Sequence, residues 1–161
     1  MNGSPSYAGF WKRFAAFLID AILLTIVNFV ILLPIIGMMG LGAGMSGGDM
    51  AFDPDNPEST GMLMAMLGGT FFASIAMAVA GWLYFALMES SAKGGTLGKM
   101  ALGIRVTDMR GNRISFGRAT GRYFGKIVSG LILYIGFIMA GFTQQKQALH
   151  DIMASCLVVN K

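Results

Sequence analysis

The segment that most constrains this chain is Arg13 to Pro34, RFAAFLIDAILLTIVNFVILLP. It is long enough to cross a bilayer, because about 20 helical residues span the hydrocarbon core. It nevertheless keeps an acid, Asp20, inside the apolar run. A charged side chain at the bilayer centre costs about 2.5 to 3.5 kcal/mol on insertion scales. Asp20 must therefore be paired with another group or be used by the protein.

The composition supports a membrane location for the whole chain. Hydrophobic residues make up 55% of it and charged residues only 12%, against about 25% charged in an average soluble domain. A second run, 62–88, contains no charged residue at all. We therefore expect one membrane domain over 1–161, with helix 1 at about 14–38 and helix 2 at about 62–88.

The loops differ in charge, and the difference predicts the topology. The loop 40–61 is acidic and has no Lys or Arg, whereas the loop 89–122 holds seven Lys and Arg against two acids. Because cytoplasmic loops carry the excess of basic residues, we expect the N-terminus and the basic loop in the cytoplasm and the acidic loop outside. Within the basic loop, 104–108 and 113–116 alternate around a turn at Gly111, which predicts a small cytoplasmic β-hairpin. Its basic side chains are candidates for contact with anionic lipid or a protein partner, namely Arg105, Arg110 and Arg113.

The third hydrophobic segment, about 123–142, allows two interpretations. Its apolar run is short for a span, so it either crosses with help from snorkelling basic residues or breaks near Gly136 and turns back, protected by protein. The tail 143–161 lies outside in the first case and in the cytoplasm in the second. Lys146, Lys161 and a strand-like segment at 156–159 favour the second. The expected fold class is an all-α polytopic membrane protein with two full transmembrane helices, a short third segment that is broken or re-entrant, and the small hairpin.

Small residues recur every four positions on two of these segments. Such stripes let helices approach closely in membranes. We therefore expect the third segment to pack on helix 1 or helix 2, and the stripes to offer faces for a homo-oligomer. The residues are Gly69 and Ala73 on helix 2, and Gly117, Gly121, Gly125 and Ser129 at the third segment.

The partner of Asp20 is expected to come from outside helix 1. Arg13 lies seven residues earlier, about 10 Å along the helix axis, which is too far for an unaided contact. Arg122, Lys126 and Lys99 are the alternatives. Asp20 is then either a buried ion-pair member that fixes helix packing or a titrating or cation-coordinating group in a wet cavity. Asn28, near mid-membrane, either bonds a neighbouring helix or lines a polar path.

Several function classes are disfavoured by the residues that are present. The chain has one Cys and one His, which makes a Cys/His zinc site implausible, and no Ser or Cys lies in a nucleophile motif. Basic residues are not interleaved with aromatics as in nucleic-acid binders. We expect no enzyme activity, no metal, no cofactor and no nucleic-acid partner.

Three blocks together resemble the RDD family of bacterial membrane proteins, named for one arginine and two aspartates. They are WKRFAAFLIDAILL, GGTLGKMALGIRVTDMRGNRISFGRATGRYFGK and QALHDIMASCLVV. The resemblance places the named residues at Arg13, Asp20 and Asp151, and a basic position before the last apolar run at Arg122. Ser155-Cys156 departs from the Gly-Thr pair common in the family. The resemblance implies a multi-pass protein of the bacterial inner membrane without an agreed activity, for which transport, including cation/proton antiport, has been suggested.

Two functional hypotheses follow. In the first, protomers assemble into an oligomer that passes a small cation or proton through a polar interior with Arg13, Asp20 and Asn28. In the second, the protein is a non-catalytic membrane adaptor that binds a partner or anionic lipid through its basic cytoplasmic hairpin. The resemblance ranks transport slightly first, which is an analogy and not a derivation.

Overall fold

Two long helices dominate the structure, a computed structural model that describes residues 6–45, 55–132 and 135–161. Helix α1 covers Phe10–Met45 and α2 covers Pro57–Ser90. Both are long and apolar enough to cross a membrane, α1 over Phe10–Pro34. The two predicted transmembrane helices are thus confirmed, although each extends beyond its predicted bounds. Pro34 lies inside α1 and does not end it.

The acidic loop is shorter than expected because α2 begins early. Asn56 caps α2, accepting a hydrogen bond from the Glu58 amide at 2.9 Å. Pro57 occupies the first helical position, where its missing N–H has no cost. Asp55 and Glu58 of the predicted loop therefore lie at the start of a helix, and Asp49 and Asp53 fall outside the described residues.

The chain divides into two compact units, which are described separately. We call residues 23–80 the helical unit, and residues 1–22 with 81–161 the cap unit. In the cap unit, α2 is followed by α3 (Leu97–Ala101), β1 (Ile104–Asp108), α4 (Phe116–Leu131), α5 (Ile135–Ile138), a 3-10 turn (Met139–Gly141), α6 (Leu149–Met153) and β2 (Cys156–Asn160).

The expected small sheet is present, but its strand pairing differs from the prediction. β1 pairs antiparallel with β2, Ile104 opposite Asn160 and Asp108 opposite Cys156. The segment 113–116 forms no strand, because the Ser115 side chain caps α4 by accepting from the Arg118 amide. On the far side of β2, Tyr7 forms a bridge with Val159. Tyr7, β1 of the basic loop and β2 near the end of the chain therefore lie in one layer.

The third hydrophobic segment is bent. α4 ends at Leu131, and α5 with the 3-10 turn continues at 117° to it, so the break comes before Gly136. Since β1 precedes this segment, β2 follows it and the two strands pair, the segment starts and finishes in the cap unit. This pairing supports the returning course.

A small apolar core holds the cap unit together. β1 and β2 contribute Ile104, Val106, Cys156 and Val158, and the helices contribute mostly alanines. The alternation of β1 buries Ile104 and Val106 and exposes Arg105. The larger buried groups around this core are charged, and they form the candidate site.

Candidate functional site

Asp20 is buried in a cradle of neutral hydrogen-bond donors. Its side chain is 1% exposed. It accepts from the Tyr84 hydroxyl at 2.9 Å, the Thr96 hydroxyl at 2.5 Å and the Gly98 amide at 2.8 Å. The carboxylate of α1 thus caps α3, while the Thr96 side chain at the N-cap position forms no cap bond of its own. This cradle joins α1, α2 and α3 through one side chain.

Two further contacts make the cradle tight. The Tyr84 hydroxyl also accepts from the Leu97 amide at 3.1 Å, so it links α3 to Asp20 from the other side. Gly98 lies against α1 so closely that an added Cβ would overlap the Ala16 carbonyl oxygen. Only glycine fits this position without a backbone shift.

The expected ion pair of Asp20 is wrong. In the parts of the chain that the structure describes, Lys99, Arg122 and Lys126 all pair with Glu89 instead. The reason is topological, since Glu89 ends α2 beside α3 and α4, whereas Asp20 faces the amide end of α3.

Glu89 and Asp151 are the two anions of a buried charge network. Arg122 bridges them, with Nη1 3.0 Å from Glu89 Oε2 and Nε 2.7 Å from Asp151 Oδ1. Lys99 and Lys126 also contact Glu89. Arg13 Nη1 pairs with Asp151 Oδ2. The network therefore ties α1, α2, α3, α4 and α6 together.

The residues that the family resemblance singled out lie in two different environments. Arg13 and Arg122 both pair with Asp151, a pairing that the sequence did not predict, and Asp20 stands apart in its neutral cradle. Arg13 Nε also donates to the Ala8 carbonyl at 2.9 Å. Its Nη2 is buried without an acceptor among the described residues.

The network contains more cations than carboxylates, and burial changes its acidities. Burial lowers the pKa of Lys99 to about 7, and Arg122 adds to this effect while Glu89 opposes it. Burial also lowers the pKa of His150 to about 3, so that side chain is neutral at pH 7. For Asp151, burial opposes ionisation, but Arg122 and Arg13 outweigh it and hold the pKa below its usual range. A neutral His150 and an ionised Asp151 therefore lie side by side.

Asp151 has a local role as well. It accepts from the Ala148 amide at 3.1 Å and so caps its own helix, α6. Its neighbour His150 packs on Phe137 with ring centroids 5.1 Å apart. His150 Nε2 lies 3.5 Å from Asp151 Oδ1.

The predicted small-residue stripes divide into buried and exposed halves. On α4, Gly125 is buried against α6, where an added Cβ would lie 3.0 Å from His150 Cβ. Ser129 is buried too, and it leaves no room for a Cβ on Gly136. Gly117 and Gly121 are exposed. The small residues of α4 thus face α5 and α6. α4 also packs on α2, where Trp82 lies against Phe116 and Phe85 against Tyr123, so the predicted packing on helix 1 or 2 is found with helix 2, through aromatic side chains and not through the small-residue stripe.

The remaining predicted site residues lie apart from the network. In the helical unit, Gly69 is exposed and Ala73 and Asn28 are partly exposed. In the cap unit, Arg105 and Arg110 are exposed. Arg113 is exposed too, and it donates from Nε to the Ser90 carbonyl at the C-terminus of α2.

Sequence reasoning missed Glu89 as a site residue, together with Tyr84 and Thr96. Glu89 could have been found, because it is the first charge after a 27-residue uncharged run and so lies at the end of a span. Tyr84 and Thr96 carry no such signal. Within residues 6–45, 55–132 and 135–161, no three His, Cys, Asp or Glu side chains gather as metal ligands.

Comparisons with known proteins identify the family of the chain. The model of the RDD family matches residues 7–155. The uncharacterized protein YxaI of Bacillus subtilis (strain 168) is 39% identical over 154 residues, covering 96% of this chain and 97% of that protein. The uncharacterized membrane protein YteJ of the same organism is 30% identical over 163 residues, covering 97% of this chain and 82% of that protein. No solved structure matches. The chain, with Arg13, Asp20 and Asp151 all at the buried centre of its cap unit, belongs to the RDD family.

Proposed function

We propose that this RDD-family membrane protein is a non-catalytic adaptor. In this proposal α1 and α2 anchor the cap unit in the membrane, and the cap unit binds an anionic partner through exposed basic side chains. The charged residues of the family set are architectural. They fix the packing of the helices and strands within the cap unit.

The observation that carries the proposal is the environment of Asp20. Three donors occupy its two carboxylate oxygens, and the side chain is 1% exposed. A carboxylate that carries a cation or proton needs a route to water, whereas a buried polar group that fixes a structure needs complete hydrogen bonding. The fully hydrogen-bonded, buried Asp20 carboxylate fits a structural role.

The binding surface is the exposed basic side of the cap unit. Arg105, Arg110 and Arg118 are exposed. The one acid between them, Asp108, accepts from the amides of Arg110 and Asn112 at 2.8 Å each. These turn bonds hold the pKa of Asp108 below its usual value, and they occupy the carboxylate. The surface is therefore positive and suits an acidic protein segment.

The charge distribution also supports an orientation. We place the cap unit in the cytoplasm of a bacterium and the helices in its inner membrane, because basic segments stay on the cytoplasmic side. Both termini then lie in the cytoplasm, since Tyr7 and β2 belong to the same layer as β1.

Binding can be tested with an acidic probe. The purified protein in nanodiscs of zwitterionic lipid is titrated with a fluorescent Asp/Glu-rich peptide, with the Asn/Gln version of that peptide as reference. We expect salt-sensitive binding of the acidic peptide alone. Combining Arg105→Glu with Arg110→Glu should weaken it at least tenfold, because two attractive charges become repulsive. Lys146→Glu, an exposed lysine elsewhere on the cap unit, should leave it unchanged. Equal binding of both peptides would refute the proposal, and loss of binding in anionic nanodiscs would assign the surface to lipid.

The role of Asp20 can be tested separately. Proteoliposomes with the wild type and with Asp20→Asn are compared for proton-coupled sodium and potassium flux. The adaptor proposal predicts no flux in either. It also predicts that Asp20→Asn lowers the free energy of unfolding by about 2 kcal/mol, because hydrogen bonds to a charged group contribute about 1.5 to 3 kcal/mol. Glu58→Gln, an exposed acid on α2, is the control and should be neutral. Flux in the wild type that Asp20→Asn abolishes would establish transport instead.

Transport by a homo-oligomer is the second candidate, and Asn28 favours it. This amide is partly exposed on a membrane helix, and its side chain has no hydrogen-bond partner in the described part of the chain. In hydrocarbon such a group gains from a bond to a second copy, with the small residues of helix 2 allowing close approach. Counting subunits in lipid by single-molecule photobleaching, for the wild type and Asn28→Leu, tests this assembly.

A further inference from the structure

A groove lies in the cap unit beside the first turn of α1, and none of its lining residues belongs to the charge network or to the basic surface. Its volume is about 380 Å³. One wall belongs to the start of α1 and the other to the 3-10 turn and the loop after it. The lining is apolar except for one cation, with Gly9, Phe10, Trp11, Ile138, Ala140, Gly141, Phe142 and Lys146.

Two of the three aromatic side chains that line the groove are largely exposed. Trp11 is 77% exposed and Phe142 is 86% exposed. They lie on opposite walls, and Trp11 packs edge-on to Phe10 with ring centroids 5.4 Å apart. The membrane-spanning part of α1 begins at Phe10, so the groove opens at the level where tryptophan is enriched in membrane proteins, the lipid interface.

Lys146 supplies the charge at one end of this groove. It sits in a left-handed backbone conformation, with φ of 49°, at a turn closed by its amide on the Thr143 carbonyl. This turn brings the ammonium over the start of α1, where a Cβ added to Gly9 would lie 3.7 Å from Nζ. No carboxylate pairs with it among the described residues. The cation is therefore available to a ligand.

We propose that this groove binds one anionic membrane phospholipid. Its acyl chain lies between Trp11 and Phe142, and its phosphate contacts the Lys146 ammonium. An apolar groove with a single cation at its end, at the height of the lipid interface, matches the two-part chemistry of such a lipid. The site shares no residue with the basic surface of Arg105, Arg110 and Arg118, so it stands or falls separately from the proposed function.

Tryptophan quenching tests the site directly. The chain has two tryptophans, so Trp82→Phe leaves Trp11 as the only emitter. This variant is placed in phosphatidylcholine liposomes with a few mole per cent of either brominated phosphatidylglycerol or brominated phosphatidylcholine, whose chains quench on contact. We expect at least twofold stronger quenching by the anionic lipid. Lys146→Glu should remove the difference, and Gly141→Leu should reduce quenching by both lipids because it fills the groove. Lys93→Glu, the same charge change on an exposed lysine outside the groove, should preserve the difference.

Equal quenching by the two lipids in the Trp82→Phe protein would overturn the proposal, since it would indicate ordinary boundary lipid. An undiminished preference in Lys146→Glu would do the same. A second measurement avoids reliance on Trp82→Phe. For native mass spectrometry, the delipidated wild type is mixed with phosphatidylglycerol. It should then show one bound phosphatidylglycerol, which Lys146→Glu loses and Lys93→Glu retains. Equal retention of phosphatidylcholine would count against the site.

Discussion

The two aspartates of the family set are both buried in the cap unit, but they are stabilised in different ways. Asp20 is held by two hydroxyls and one amide, all neutral. Asp151 is held by two guanidinium groups, those of Arg13 and Arg122, and by the amide of Ala148. The Asp20 carboxylate is stabilised by neutral hydrogen-bond donors in a closely packed site, and the Asp151 carboxylate is stabilised by ion pairs.

Because of this difference, the Asp20 cradle and the charge network should tolerate different substitutions. The Asp20 cradle depends on the close approach of α3 to α1, so any added volume there disturbs it. The network depends on a balance of charges in a buried place, where removing one partner leaves another charge uncompensated. In the Asp20 cradle, substitutions that add volume should therefore destabilise the protein more than substitutions that remove a charge. In the charge network the order should be reversed.

The largest effect is expected at Arg122, the cation that bridges Glu89 and Asp151. Arg122→Met keeps the apolar stem but leaves both carboxylates without their shared partner, which should lower the free energy of unfolding by about 3 to 5 kcal/mol. Cys156, the one thiol of the chain, is buried, so its rate of modification by a thiol reagent in liposomes reports opening of the cap unit. Arg118→Met, an exposed position on the same helix, should react like the wild type. Slow, wild-type-like labelling of Arg122→Met would show that the network is not needed for stability.

The Asp20 cradle should be broken by volume alone. Gly98→Ala adds a methyl group that overlaps the Ala16 carbonyl, and overpacking of this kind costs about 1 to 3 kcal/mol. Gly117→Ala is the matched control, because nothing lies within 4 Å of its added Cβ and alanine favours a helix by about 0.5 to 1 kcal/mol. Thermal unfolding followed by circular dichroism should show the first variant melting lower and the second equal or higher. The reverse order would contradict the close contact of α3 with α1.

The sequence predicted the parts of this fold that depend on hydropathy. The two membrane helices were found because an apolar run of more than 20 residues, interrupted only by Asp20 in helix 1, has few other stable structures. Their ends were placed less well, since the start of α2 depends on the local cap formed by Asn56 and Pro57. The strand at 104–108 was found from its alternation, and the strand at 156–159 was expected to join the same sheet, which the structure confirms. The hairpin partner of 104–108, however, was assigned to 113–116. Local alternation does not distinguish that segment from one 50 residues away, and the Ser115 cap decided in favour of a helix.

The sequence predicted several residues of the candidate site, but it did not predict which of them contact each other. Arg13, Arg122 and Asp151 were singled out, and they meet. Asp20 was paired with a cation because a buried charge usually needs one. Neutral donors replaced the cation, and none of the three, the Tyr84 and Thr96 hydroxyls and the Gly98 amide, can be recognised as a partner without the course of the chain. Glu89 took the cations expected for Asp20 because it reaches them from the end of α2.

The most gradual effect, and the one that separates the two regions by charge alone, is the pH dependence contributed by His150. Its unfolded pKa is about 6.5, and burial lowers the folded pKa to about 3. The unfolded chain therefore binds the extra proton first, so the stability from a neutral His150 is complete above pH 6.5 and is lost as the pH falls toward 3. The loss approaches about 1.4 kcal/mol per pH unit at most.

Thermal unfolding between pH 6.5 and 4.5 should therefore show a falling midpoint for the wild type and a flatter profile for His150→Gln. The charges that face His150 act on the same titration, namely Asp151, Arg122, Lys126 and Lys99, but the lowered pKa of Asp151 places its own loss below this window. Asp20→Asn is the informative control. It should shift the whole curve down without changing its slope, because the cradle of Asp20 contains no histidine and no cation among the described residues. The slope of the unfolding midpoint against pH could instead change with Asp20→Asn and not with His150→Gln. That result would place the acid sensitivity in the Asp20 cradle and would contradict the assignment of packing to the cradle and of charge to the network.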